Sequence, residues 1–83
     1  MNKSKRKRLE KAVTFMELAL DVISDVRYEE QDSMSNMPEN LQNSDRYSDM
    51  ESAVDNMEDS EEIIKEILEL ISEAIGKVDN ATA

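Results

Sequence analysis

From Tyr47 to Val78 one seven-residue frame runs without a break. Writing a at Tyr47, Val54, Glu61, Leu68 and Ile75 puts d at Met50, Met57, Ile64, Ile71 and Val78, and Glu61 is the only charged residue in the frame. An apolar repeat of 3.5 residues held over four heptads belongs to a helix wound against another helix; a strand, with its period of 2, cannot produce it. The segment begins at Ser44 or Asp45, where "SDRYSDMESAV" offers capping residues and then acids suited to the positive end of a helix dipole. At ~1.5 Å per residue, a helix over about 45–78 is roughly 50 Å long.

A helix of that length needs a partner, and the chain contains one. Apolar residues fall at Leu9, Ala12, Val13, Met16, Ala19, Leu20, Ile23 and Val26, a three-four alternation that predicts a first helix over about 5–32 with Ser4 as its N-cap. The period is lost in "EEQDSMSNMPENLQNS", where Pro38 removes a backbone donor and pushes Met37 toward extended geometry. Two helices of similar length joined by a connection over about 33–44 predict an all-α fold: an antiparallel, coiled-coil-like hairpin, with a short disordered tail after residue 78.

Size limits what the hairpin can do alone. A chain of 83 residues buries only roughly 60% of the surface it exposes when unfolded, and this one has no cysteine to staple it. Having no histidine either, it lacks imidazole catalysis and thiolate metal sites, and no glycine-rich phosphate loop is present. The expectation is a protein that is not an enzyme and takes no cofactor. No run approaches the ~20 apolar residues of a membrane span, and charges interrupt the segment after "MNKSKRKR" too often for a signal peptide. The expected location is the cytoplasm, so the glycosylation-like Asn80-Ala81-Thr82 is read as chance.

The second half of helix 2 carries more apolar surface than one seam consumes. Position g holds Ile67 and Ala74, and position c holds Ile63 and Leu70. Because c lies well round from the a/d seam, Ile63 and Leu70 are not covered by a single neighbour, and a leucine-sized side chain left wet forgoes roughly 1.5–3 kcal/mol. Two explanations serve: a homodimer forming a four-helix bundle, or a surface for a different protein.

Charge is divided sharply. Residues 1–11 hold six bases against one acid, net +5, and residues 12–83 hold four bases against nineteen acids, net −15. The basic tip (Lys3, Lys5, Arg6, Lys7, Arg8) suits phosphate without reading sequence, and is the only feature that invites nucleic acid. In an antiparallel hairpin it is expected beside Glu66, Glu69 and Glu73, which neutralise it. The acidic face (Asp55, Glu58, Asp59, Glu62, Glu66, Glu69) admits imitation of a phosphate backbone, against the plainer role of solubility. Its densest part, "DNMEDSEE" at 55–62, lacks the turn glycine of a calcium loop and lies inside the heptad run, so no metal is expected.

The run "NMPENLQNSDRYSDMESAVDNMEDSEEII", Asn36 to Ile64, resembles small, acidic, uncharacterised helical proteins of Gram-positive bacteria, their phages and mobile elements, chiefly in its "PENLQ-S-RY" turn followed by an amphipathic helix. The resemblance implies a bacterial or phage origin and carries over no activity or site. In the turn itself, Leu41 and Tyr47 flank Ser44 in the manner of a staple.

Two functions follow as expectations: an interaction module that binds through the apolar surface of helix 2, or an acidic inhibitor or DNA mimic acting on a nucleic-acid-binding protein. A further expectation concerns Glu61. The antiparallel register sets it against Met16–Ile23, which offers no cation, so it should turn to water or to another chain, and Glu61→Leu should stabilise the protein.

Overall fold

The computed structural model of the chain describes residues 2–82, with side chains described through Lys77. Helix α1 spans Lys3–Ser35, a single 3₁₀ turn spans Glu39–Leu41, and helix α2 spans Asp45–Thr82. The helices pack lengthwise into a hairpin measuring 63 × 15 × 14 Å. The tail expected after residue 78 lies where no side chain is described.

Local chemistry accounts for the helix ends. Asn2, not Ser4, caps α1: its backbone is extended and its side-chain oxygen accepts from Lys5 N at 2.8 Å, which starts the helix two residues earlier. The helix also outlasts the low thirties, since Met34 continues the seam. Ser33 and Ser35 donate to the carbonyls of Glu29 and Gln31, each at 3.0 Å, and so are satisfied inside the helix. It ends at Asn36, whose N–H still reaches Asp32 O at 3.0 Å, just before the Met37-Pro38 pair. Ser44 caps α2, accepting from Tyr47 N at 3.2 Å and donating to Leu41 O at 2.6 Å. Tyr47 lines a shallow groove with Met34 and Val54, while Leu41 stays half exposed.

Burial along α2 follows the heptad frame. Among the described residues only Val54 and Glu61 are buried, each at 6% exposure, and the remaining a and d positions through Ile75 are half-buried. Two helices cover each other from one side only, so a deeper core is not available to a lone hairpin.

Helix α1 departs from the expected stripe at its C-terminal half. The half-buried residues include Leu9, Val13, Met16, Leu20, Ile23, Arg27, Glu30 and Met34, a strict four-three alternation, joined by Arg6, Ala12, Ser24 and Gln31, whereas Ala19 and Val26 face outward. Helices that supercoil keep 3.5 residues per turn, so the position after Ile23 is four residues on. That residue is Arg27, and Val26 is 45% exposed. In this frame α1 has a at Val13, Leu20, Arg27 and Met34, and d at Leu9, Met16, Ile23 and Glu30.

Candidate functional site

One arginine from α1 and one glutamate from α2 meet in the seam. Arg27 donates from Nε to Glu61 Oε1 and from Nη2 to Glu61 Oε2, the latter at 3.2 Å, forming a two-pronged ion pair whose side chains are 15% and 8% exposed. Arg27 Nη1 also donates to Gln31 Oε1 at 2.9 Å, and its guanidinium carbon lies 4.6 Å from the Tyr28 ring centroid. Gln31 in turn donates to Glu58 at 3.2 Å, which crosses back to α2. No buried side-chain nitrogen or oxygen among the described residues lacks a partner.

The expected exit of Glu61 to water is therefore corrected. Helical side chains lean toward the N-terminus of their own helix. In an antiparallel pair Arg27 leans back toward Ile23 while Glu61 leans the opposite way, and the two converge although their backbones are offset. The cation sits one turn beyond Met16–Ile23. Glu61 is held below the ordinary carboxylate range, first by the hydrogen bonds from Arg27, against which burial pushes upward. The charge of Arg27, a hydrogen bond from Ser24 and the charge of Lys65 add to the lowering. The same pairing raises Arg27.

This network also orients the hairpin. Gln31 and Glu58 are both e positions, as are Ser24 and Lys65, so the e edges of the two helices lie together on one side of the seam. The g edges must then share the other side.

That second side is apolar on both helices. On α1, positions g and c carry Ala12, Phe15, Ala19, Val22 and Val26; on α2 they carry Ile63, Ile67, Leu70 and Ala74. Phe15, Val22, Ile63 and Leu70 are 66, 61, 55 and 64% exposed, and Ile67 is 37%. At 100° per residue the g/c stripe is centred about 110° from the a/d seam, so on each helix it forms a distinct facet. Counting outward from the Arg27–Glu61 pair, the two stripes occupy the same stretch of the hairpin to within about a helical turn. They form one broad face.

The expected surface of Ile63, Ile67, Leu70 and Ala74 is thus half of a larger one. Polarity alone hides the α1 half, because it places Ala19 and Val26 in the seam and so breaks the Phe15–Val22 series. A second three-four alternation, displaced from the seam by one residue, is the signal that reveals it.

The charged groups are spread over the remaining surface. Asp55–Glu62 lies within continuous α-helix, and no group of acidic side chains among the described residues is arranged to hold a metal ion. Glu58, Asp59 and Glu62 ring the Arg27–Glu61 pair together with Lys65. Glu66 and Glu69 are exposed further along α2. At the other end Lys3, Lys7, Arg8 and Lys11 line one groove, with Lys5 and Arg6 on the same turns.

No protein-family model matches this chain, and no curated protein or solved structure matches it either.

Proposed function

We propose that this protein is a non-enzymatic interaction module that acts as a helical homodimer, two hairpins meeting through the g/c face to make a four-helix bundle. The observation that carries the proposal is the second apolar facet. It is present on both helices, on the same side of the seam and over the same stretch. Solubility gives no reason to place Phe15, Val22, Ile63 and Leu70 together in water, and a lone hairpin lacks the burial that a four-helix core supplies. In a square bundle each helix meets two neighbours at about a right angle, close to the separation between the a/d and g/c facets.

Analytical ultracentrifugation tests this proposal. The expected result is a dimer in the micromolar range that Ile67→Glu or Val22→Glu converts to monomer, since each places a charge in the contact. A wild-type monomer at high micromolar concentration overturns it and leaves the apolar face to a different protein.

A second reading rests on the opposite surface. Glu10, Glu17 and Asp21 of α1 and Glu51, Glu58, Glu62 and Glu69 of α2 all occupy e and b positions, which puts two acidic rows on one edge. Such an edge suits an inhibitor that presents itself to a basic nucleic-acid-binding protein in place of phosphates. Binding of that kind collapses between low and moderate salt, whereas docking through the apolar face scarcely changes.

A further inference from the structure

The g/c facet does not end in neutral residues. Continued toward the N-terminus of α1 it carries Arg8 and then Lys5, and continued the other way it carries Glu29 and Ser33. All four are exposed. The α1 stripe therefore runs basic, apolar, acidic, and is close to symmetric about Ala19: Phe15 and Val22 stand at nearly equal distances from it, as do Ala12 and Val26, and Arg8 and Glu29.

Two hairpins can meet face to face in two ways that close by a two-fold axis. With the axis along the helices, the connections lie at the same end, α1 stacks on the partner's α2, and both basic tips gather together. With the axis across the helices, the hairpins point in opposite directions and α1 stacks on the partner's α1. Then the basic end of each facet meets the acidic end of the other.

We infer that the second copy sits in the crosswise orientation, with Lys5 and Arg8 of each protomer against Glu29 of its partner and the two-fold axis passing near Ala19. The inference rests on the homodimer reading above.

Area argues the same way. The apolar stretch from Ala12 to Val26 covers about 21 Å of helix, and with a hairpin 15 Å wide that is roughly 300 Å² of projected face. Stable interfaces take about 800 Å² of accessible surface from each partner. Including the charged flanks from Lys5 to Ser33 doubles the length to about 42 Å and brings the face to roughly 600 Å² before surface relief is counted. The dimer therefore needs its flanks, and only the crosswise orientation makes them attractive. Charge over the wider neighbourhood agrees. Residues 1–11 are net +5, and the region they approach contains Asp25, Glu29, Glu30 and Asp32 of α1 with Asp55, Glu58 and Asp59 of α2. The alternative instead sets two +5 segments side by side.

The experiment uses the full chain, which has no native cysteine. A single nitroxide at Asn43→Cys, in the connection, reports the distance between the two connections by pulsed electron resonance. The crosswise dimer places the labels about 60 Å apart, since each connection is some twenty rises from the axis; the alternative brings them within roughly 25 Å. A charge exchange gives an independent measure at exposed positions that leave the fold intact. Arg8→Glu should weaken the dimer on the order of tenfold, and Arg8→Glu with Glu29→Arg should restore it to within about threefold. A dimer with the short label distance, or one that the double exchange does not rescue, overturns the crosswise orientation while leaving the homodimer standing. A monomer at high micromolar concentration overturns both.

Discussion

The most consequential residue is Glu61, because its role reversed once Arg27 was seen to reach it. As the one charged residue of the α2 frame, it is replaceable by leucine only if nothing in the seam depends on it. Instead, Glu61→Leu leaves the Arg27 guanidinium in a half-dry seam without its carboxylate, and breaking such a pair costs more than the pair contributes. We expect Glu61→Leu to melt several degrees below wild type at matched concentration. Arg27→Leu combined with Glu61→Leu should recover the loss or exceed wild type, because it replaces both charges with apolar side chains. Acid titration gives a second check. A carboxylate whose folded pKa is depressed contributes stability that is present above its unfolded value, about 4.3, and lost as pH falls through the folded value. The difference in Tm between wild type and Glu61→Gln should therefore be widest near neutrality and shrink progressively below about pH 4. A difference unchanged down to pH 2 is incompatible with the ion pair.

At the scale of elements, the connection decides whether two long helices become a hairpin. Its order comes from the 3₁₀ turn after Pro38 and from Ser44, whose hydroxyl serves both the preceding turn and the Tyr47 N–H in the first turn of α2. Ser44→Ala should cost about 1 kcal/mol, or roughly 4–8 °C for a domain of this size, read by thermal circular dichroism. An effect within error would show that the helix start is held by Tyr47 packing alone. The helix boundaries themselves were legible to within four residues, since capping and proline chemistry are local. The α1 face was less so: Val26 was placed in the seam because it is apolar, although the supercoil assigns that position to Arg27. Side-chain polarity suggested the wrong one of two adjacent residues, and only the 3.5 period separates them.

The whole molecule is a rod with a thin core. Its seam holds two buried residues among those described, while Phe15, Val22, Ile63 and Leu70 remain in water. A fold with so little burial should gain stability from mass action. The Tm should rise by several degrees as concentration is increased from about 5 to about 500 µM, because a ligand that binds only the folded state stabilises it and in the homodimer we propose the ligand is a second copy. A concentration-independent melt would show that the hairpin is sufficient by itself.

The sequence by itself determined that the chain is helical, where the helices begin and end to within about a turn, which face of α2 is the seam, and that α2 has apolar surface beyond it. Each of these depends on residues within a turn or two of one another, where spacing and capping decide the outcome. Tertiary structure alone decided that Arg27 satisfies Glu61, that the e edges lie together, and that the apolar facets of α1 and α2 merge into one face. Those outcomes depend on how two helices are wound and offset against each other, and on the direction in which their side chains lean. Neither quantity can be read from one helix at a time.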